Sequence, residues 1–253
     1  MTLSVQVSPA ACPVLFVDAS LQGVQIALID ASGVGRVLWQ GAHSENKGAL
    51  EQVSRLVAAG LAAVGMVASD LVGLAVGVGP GSFTGIKVAL AFVYGLRSGL
   101  DPALPLLGVS SLEAAARALA VGCGGDILLA LPATKTHGFI ASSGPSGHQA
   151  ARLIDAEAPQ PLGRAVGGRQ IYITGAWPLL AAVATAAGEA AKEWTVAQIA
   201  AAALPELVRE ISAAWPHGFA RELPAPRYLR LSTAEERLLA EASALGPQQK
   251  DLL

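Results

Sequence analysis

The amino-acid sequence predicts an α/β protein built from two related halves. Three short segments rich in β-forming residues open the chain, at residues 13–18, 23–29 and 35–40. Helix and strand patterns then alternate, which is typical of a largely parallel sheet covered by helices. Farther on, three strand patterns repeat the opening meander, at residues 126–131, 137–141 and 149–154. The repetition predicts a second half that echoes the first.

The first half continues with a helix, a buried strand and two more helices. Apolar residues recur at helical spacing over residues 50–64, and Ser44 or Asn46 can cap that helix. Residues 71–78 are almost continuously apolar, as expected of a strand buried on both faces. The remaining patterns are a helix at 84–100, a strand at 106–109 and a helix capped by Ser110 or Ser111.

The second half ends in helical patterns and a proline-containing tail. A strand is predicted at residues 171–174, an alanine-rich helix at 179–187 and a longer helix at 195–214. Pro224 and Pro226 follow. We expect two subdomains, at residues 1–110 and 111–225, and a C-terminal tail at 226–253.

The composition of the 253 residues indicates a protein that binds other proteins. Hydrophobic residues make up 53% and charged residues only 14%, so some apolar surface is expected to contact a partner. The formal net charge of −2 provides no field that would gather nucleic acid or anionic lipid. The first 11 residues carry no positive charge, unlike a secretory signal, and the uncharged run 171–188 is interrupted by Gly175 and Pro178. Two cysteines suit a reducing compartment. A cytoplasmic protein without a membrane segment is expected.

A glycine-rich segment, Gly79-Pro-Gly-Ser-Phe-Thr-Gly85, lies between the buried strand and the next helix. Free backbone amides at such a junction can hold an anion, which makes Gly79, Gly81, Ser82 and Thr84 candidate nucleotide-binding residues. The segment departs from the phosphate-loop pattern, because Val88 follows Lys87 where that pattern requires Ser or Thr. The other interpretation is a turn at Pro80, a helix cap at Ser82 or Thr84, and close packing at Gly85, and it is the favoured one.

Asp18 and Ser20 form a second candidate for nucleotide binding at the end of the first strand. A carboxylate and a hydroxyl at that position could meet a phosphate or its metal ion. The same residue types also stabilise β-turns through hydrogen bonds between side chain and backbone, and this structural interpretation is favoured.

The helix after the glycine-rich segment is apolar around nearly its whole circumference. Such a helix must be covered on two sides, either by the domain's own elements or by its sheet and a second protein. No H-x-x-x-H, H-E-x-x-H or G-x-S-x-G pattern occurs, and the four histidines stand singly. The sequence therefore predicts no metal site and no catalytic residue.

Four segments occur together in an order that resembles the TsaB (YeaZ) family. They are Phe16-Val-Asp-Ala-Ser20, Gly77-Val-Gly-Pro-Gly-Ser-Phe-Thr-Gly-Ile-Lys87, Gly108-Val-Ser-Ser-Leu112 and Pro226-Arg-Tyr-Leu-Arg230. The resemblance covers most of the chain except about residues 143–169, and the G-P-G-S-F-T-G block is its most specific part. It implies the actin-like ATPase fold (ASKHA, ribonuclease H-like), with two related subdomains of which the second is reduced.

The resemblance also implies a role in tRNA modification. Family members act with TsaD, which holds the metal and the catalytic site, and with the ATPase TsaE. The complex places a threonylcarbamoyl group on the adenosine next to the anticodon, and TsaB-like proteins are its non-catalytic subunit. We accordingly expect a heterodimer with TsaD, tRNA contact through the complex only, no intrinsic cofactor, and ATP at the complex interface. The first-half helices would supply the partner interface, through Leu50, Val53, Leu56, Val57, Ile86, Leu90, Phe92, Val93 and Leu96.

Two positions depart from the family pattern. Relatives usually begin the second half with a strand ending in I-D-A-R, whereas this chain reads Leu131-Pro-Ala-Thr-Lys135. Lys87 stands where relatives usually carry arginine, and lysine lacks the bidentate fork of a guanidinium. Two alternative functions stay open on the sequence: an autonomous enzyme of the actin-like fold, either an ATP-dependent kinase or a metallopeptidase, and a homodimeric regulatory protein.

Overall fold

A computed structural model describes residues 11–21, 23–43, 48–155, 168–174, 188 and 191–229. The predicted helix at residues 179–187 lies outside this part of the chain, and so do Ser44 and Asn46. The helix that those two residues were expected to cap begins after Gly48, whose φ of 71° is in the left-handed region that glycine adopts readily.

The first sheet has five strands in the order β3-β2-β1-β4-β5. The first three strands are antiparallel neighbours, and β4 and β5 add to β1 as parallel strands. The strand bounds are β1 Pro13–Asp18, β2 Val24–Asp30, β3 Arg36–His43, β4 Gly73–Gly77 and β5 Leu106–Val109. All five predicted strands of the first half are confirmed, with end points that shift by a few residues.

The second sheet repeats this topology. Its order is β10-β9-β6-β7-β8, so three antiparallel strands (β6, β7, β8) again adjoin two parallel ones (β9, β10). The bounds are β6 Ile127–Pro132, β7 His137–Ser143, β8 Gln149–Asp155, β9 Gln170–Thr174 and β10 Ala191–Trp194. The matching orders confirm two related halves. The sequence pattern did not predict β10.

In the described part of the chain, four α-helices separate and cover the sheets: α1 Ala49–Val64, α2 Phe83–Leu100, α3 Ser111–Cys123 and α4 Val196–Ala214. One apolar cluster joins α1 and α2 to one face of the first sheet. The other cluster places α3 and α4 between the first sheet and the second. Among the helices of the described residues, none has the length and apolar character needed to cross a membrane.

Strand β1 shows why its sequence forms a central strand. Its residues are all buried, and alternate side chains enter the two different clusters. Leu15 and Val17 pack toward α1 and α2, whereas Val14 and Phe16 pack toward α3 and α4. Removing the Phe16 side chain would cost roughly 3–5 kcal/mol, the usual range for a fully buried aromatic residue.

Candidate functional site

The glycine-rich segment 79–85 packs directly on the turn between β1 and β2. The amide of Ser82 donates to the carbonyl oxygen of Ser20 across 2.7 Å. A Cβ atom on Gly81 would lie 2.0 Å from that same oxygen, and one on Gly85 would lie 1.8 Å from the carbonyl oxygen of Ala19. The glycines therefore permit a close approach of two backbone segments.

Three amides at this helix start, those of Ser82, Gly85 and Ile86, are used by the fold itself. Ser82 is the N-cap of α2, and its Oγ accepts from the amide of Gly85 across 3.2 Å. The amide of Ile86 donates to the carbonyl oxygen of Ser82 across 2.9 Å. A phosphate-binding loop presents such amides to an anion instead. The favoured interpretation of Ser82 as the cap agrees with this geometry, and Thr84 is exposed one residue into the helix.

Asp18 is almost fully buried, with 2% of its surface exposed. Its Oδ1 accepts from the amide of Ser20 across 2.7 Å, which is the turn-stabilising bond expected of an aspartate at this position. A Cβ on Gly77 would lie 2.0 Å from Oδ1, so the neighbouring strand needs glycine to accommodate the carboxylate. The Oγ of Ser20 is buried and has no hydrogen-bond partner within the described part of the chain.

Asp18 also lines a cavity of about 310 Å³ between the first sheet and the start of α4. Gln25 crosses this space and donates from Nε2 to the carbonyl oxygen of Ala200 across 3.2 Å. Its Oε1 is buried without a partner among the described residues. The walls are mainly apolar, and the polar atoms come from few side chains. Asp18 and Ser20 are therefore adjacent and joined by a hydrogen bond. Of the six predicted nucleotide-binding residues, Asp18 alone lines this cavity.

Residues 220–229 form a C-terminal segment that packs beside the glycine-rich segment and contacts the residues around it. Within that segment, the amide of Arg227 donates to the carbonyl oxygen of Val78 across 2.8 Å. The hydroxyl of Tyr94 donates to the carbonyl oxygen of Pro224 across 2.9 Å. The rings of Phe83 and Tyr228 lie with centroids 4.6 Å apart. The start of α2 is therefore held from both sides, by the β1–β2 turn and by the C-terminal segment.

Glu113, in the first turn of α3, anchors the same segment. Its Oε1 accepts from Nη1 of Arg227 across 2.6 Å and from the amide of Ala151 across 2.7 Å. Burial alone would raise the pKa of Glu113, but these two hydrogen bonds and the charge of Arg227 lower it overall. Sequence reasoning missed this anchor. The available signal was the pattern Ser110-Ser-Leu-Glu113, which marks a helix start but not a contact so distant in sequence.

Most of the predicted interface residues of α1 and α2 face the core. Five of the nine are buried: Val53, Val57, Ile86, Leu90 and Val93. These five side chains could not contact a partner protein unless the structure rearranged. Leu56, Phe92 and Leu96 are partly buried against the same cluster. Leu50 alone of the nine is exposed, at 57%. The first sheet and α1 therefore bury one side of α2, as the apolar pattern of that helix predicts.

The outer face of α2 consists of small side chains. Ala91, Gly95 and Gly99 are exposed and recur every four residues, so they lie in one row. A Cβ placed on Gly95 or Gly99 would have no atom within 4 Å. Lys87, one turn earlier, is exposed and has its Nζ 4.1 Å from the centroid of the Phe83 ring. A helix from another molecule could approach this row closely.

The turn after β6, where the sequence differs from the family's I-D-A-R pattern, is closed by hydrogen bonds that involve the backbone. The amides of Ala133 and Thr134 both donate to the carbonyl oxygen of His137, each across 2.9 Å. The Oγ1 of Thr134 accepts from the amide of His137 across 2.9 Å. Among the described residues, no group of three or more His, Cys, Asp or Glu side chains could hold a metal ion.

The chain matches known proteins in a family model and in solved structures. The family model described as TsaD, tRNA N6-adenosine threonylcarbamoyltransferase, matches residues 44–167. No curated protein matches the chain. The structure of YeaZ from Pseudomonas aeruginosa has a TM-score of 0.61 and 20% identity, covering 86% of this chain and 99% of that one.

Two further structures are similar. A protein from Pseudomonas aeruginosa with similarity to peptidase YEAZ has a TM-score of 0.60, with the same identity and coverage as YeaZ itself. A protein of actin-like ATPase fold from Bacteroides thetaiotaomicron has a TM-score of 0.43 and 6% identity, covering 79% of this chain and 96% of its own.

The chain is thus a protein of the actin-like fold, with one five-stranded sheet in each of two related subdomains. This class hosts many functions, so the fold alone does not select one. The family-model match shows similarity to the TsaD family over residues 44–167, and the two YeaZ-type structures share the fold of this chain.

Proposed function

We propose that this protein is a non-catalytic accessory subunit that pairs with a TsaD-type protein in threonylcarbamoylation of the tRNA adenosine next to the anticodon. The TsaD-family match over residues 44–167 and the likeness to YeaZ support this role. The glycine-rich segment supports it as well, because its backbone is engaged in positioning α2. In this proposal, the segment serves partner binding through the helix it orients.

The row of small side chains on α2 is the observation that carries the proposal. Ala91, Gly95 and Gly99 leave the helix backbone accessible over about two turns, where a partner helix could pack at close range. The buried side of the same helix is fixed by Ile86 and Val93 in the core. A helix held rigidly on one side and open on the other suits docking without large rearrangement.

The remaining partners follow from the same proposal. A net charge of −2 gives this subunit little attraction for tRNA, so the nucleic acid would be held mainly by other members of the complex. The ATPase TsaE would join the assembled pair, with ATP at the complex interface. The reaction would take place in the cytoplasm.

The experiment is association with the TsaD-type protein of the same organism, measured by size-exclusion chromatography with light scattering. We expect a heterodimer with the unaltered chain and weakened pairing with Ala91→Lys, which places a charge in the row. Val121→Lys is the matched control, because Val121 is 74% exposed on α3. Equal pairing by all three proteins would contradict docking through this row, and a homodimer that excludes TsaD would favour the regulatory alternative.

An autonomous nucleotide-dependent enzyme is the second candidate, because Asp18 lines the 310 Å³ cavity between the halves. Ligands of open α/β sheets commonly bind in such clefts. Calorimetry of the isolated protein with ATP and Mg²⁺, together with a phosphate-release assay, separates the two functions. The accessory role predicts weak binding and negligible turnover. Tight binding that Asp18→Asn abolishes, with sustained hydrolysis, would favour the enzyme.

A further inference from the structure

The cavity beside Asp18 supports an inference that is independent of the proposed function. It lies at one end of the first sheet, where β1 and β3 end and β2 begins, and the first turns of α4 form its other side. We call this space, of about 310 Å³, the Asp18 cavity. An apolar cavity of about 150 Å³ can hold a benzene molecule, so the Asp18 cavity has room for a ring compound with a polar group attached.

Three neighbouring strands contribute one row of side chains to the Asp18 cavity. Asp18 pairs directly with Gln25 of β2, and Gln25 pairs with Ala42 of β3. All three residues line the cavity. Directly opposed residues of antiparallel strands place their side chains on the same face, with Cβ atoms about 5 Å apart. Asp18 and Gln25 therefore stand side by side, and the small, exposed Ala42 leaves a way in from solvent.

The carboxylate of Asp18 is buried without a positive group beside it. Its exposed fraction is 2%, and it forms no ion pair within the described part of the chain. Oδ1 accepts from the amide of Ser20 and lies against Gly77, which leaves Oδ2 for a ligand. Buried carboxylates are normally paired, because an unpaired charge is costly to remove from water. A ligand with a positive N–H group would supply the missing pair.

Gln25 offers a second acceptor next to Asp18. Its Nε2 donates to the carbonyl oxygen of Ala200, and its Oε1 is buried without a partner among the described residues. A buried acceptor of this kind normally has a hydrogen-bond donor. An amidinium group is planar and carries two N–H groups that point the same way, so it could donate to Asp18 and, after a rotation of the Gln25 side chain, to Oε1.

The other walls select the body of the ligand. They are mainly apolar, through Leu21, Val24, Val196, Ala197 and Ala200. The described residues that line the cavity include no lysine or arginine. Such walls suit a hydrocarbon or aromatic body, whereas a phosphate group requires positive side chains and a hydrated metal ion requires several oxygen ligands.

We propose that the Asp18 cavity binds a small organic cation, whose amidinium or ammonium group pairs with Asp18 and whose apolar body lies against the start of α4. The positive group donates a charge-assisted hydrogen bond to Oδ2, and the body displaces water from the apolar walls. The bond from Gln25 to Ala200 already joins the first sheet to α4. A ligand held between Asp18 and Ala197 adds a second connection between the same two elements.

NMR titration of the isotope-labelled full chain tests this proposal with three probes that share a phenyl ring. Benzamidine is positive, benzamide is neutral and benzoate is negative. Benzamidine should shift the amide signals of Gln25, Ala42 and Ala197 in a saturable manner. Benzamide should bind at least about tenfold more weakly, because it lacks the charge that strengthens the hydrogen bond to Asp18. Benzoate should not bind, since its carboxylate would meet that of Asp18.

Three variants locate the binding site. Asp18→Asn keeps an acceptor for the amide of Ser20 but removes the charge, and it should weaken benzamidine binding at least about tenfold. Ala200→Leu fills the cavity from α4 without altering the turn after β1, and it should abolish binding. Glu51→Gln is the matched control, because it removes an exposed carboxylate of α1 and should leave the affinity unchanged. The amide signals of β1 verify that each variant is folded.

Three results would overturn the proposal. The first is no saturable shift at the cavity residues with benzamidine, which means that the cavity holds water alone. The second is equal affinity for benzamidine and benzoate, or unchanged benzamidine binding by Ala200→Leu, which means that the probe does not bind beside Asp18. The third is displacement of benzamidine by ATP with Mg²⁺, which would assign the cavity to a nucleotide. Charge-selective binding that Asp18→Asn and Ala200→Leu both weaken supports an organic-cation site.

Discussion

Arg227 and Glu113 form an ion pair at 2.6 Å although 114 residues separate them in the chain. Arg227 lies on the C-terminal segment and Glu113 at the start of α3, between the two sheets. The same arginine donates its backbone amide to Val78, just before the glycine-rich segment. A single residue thus links the C-terminal segment, the glycine-rich segment and the helix layer between the halves.

Replacing Arg227 with glutamine should destabilise the protein by about 1 kcal/mol, because Glu113 loses its charged partner but keeps the amide of Ala151. Urea denaturation measures the change. Arg221→Gln on the same segment is the control, since Arg221 is exposed, and it should change the free energy of unfolding by less than about 0.5 kcal/mol. Equal effects of the two substitutions would argue against the ion pair as an anchor.

The pKa values of Glu113 and Glu210 should shift in opposite directions from the ordinary value of 4.5. Hydrogen bonds from Ala151 and Arg227 lower the pKa of Glu113, so its stabilising contribution is present above pH 4.5 and is lost as the pH falls through the lowered value. Burial, together with the nearby acidic charges, raises the pKa of Glu210. Ionisation of Glu210 therefore lowers the stability of the folded protein as the pH rises above 4.5. Carboxyl titration by NMR checks both, and a Glu113 value above 4.5 would contradict the account.

Two glycines of α2 should respond in opposite ways to alanine. Gly85→Ala should cost more than about 2 kcal/mol, because the new Cβ would lie 1.8 Å from the carbonyl oxygen of Ala19. Gly95→Ala should stabilise by roughly 0.5–1 kcal/mol, because alanine favours the helix and no atom lies within 4 Å. Denaturant midpoints compare the pair. Similar destabilisation by both would mean that the close approach at Gly85 does not matter.

A charge at Val93 should act on folding and not on partner binding. Val93 is fully buried under the first sheet, so Val93→Lys is expected to destabilise the protein by several kcal/mol. Ala91→Lys, two residues earlier on the exposed side, should leave the thermal midpoint nearly unchanged. Circular dichroism melts compare the two variants, and a stable Val93→Lys protein would contradict the buried orientation of α2.

The sequence predicted the strands best where burial is continuous. Strand β1 has the expected bounds, because Pro13 and Asp18 delimit an apolar run that is buried on both faces. Strand β10 was missed, since Lys192 and Glu193 interrupt any apolar pattern in this short strand, whose one partner among the described residues is β9. An apolar run thus predicts a strand well, at the edge of a sheet as in its centre, whereas a short strand that contains charged residues is missed.

The site was harder to predict because it depends on distant contacts. The favoured interpretation of the glycine-rich segment agrees with the structure, but the reason is the proximity of Ser20 and Ala19, which spacing alone does not reveal. Helix α2 was expected to be covered on both sides. The structure buries its large residues such as Ile86 and leaves Gly95 exposed, a division that a nearly uniform apolar pattern does not contain.

The most direct test of the accessory role measures how much of the tRNA carries the modification when the protein is absent. The gene for this chain is deleted, and the modified adenosine next to the anticodon is quantified by mass spectrometry, with complementation by the unaltered gene and by the Ala91→Lys variant. The account predicts that the threonylcarbamoyl group is lost on deletion, restored by the unaltered gene, and restored only poorly by Ala91→Lys. Unchanged modification in the deletion strain would contradict it.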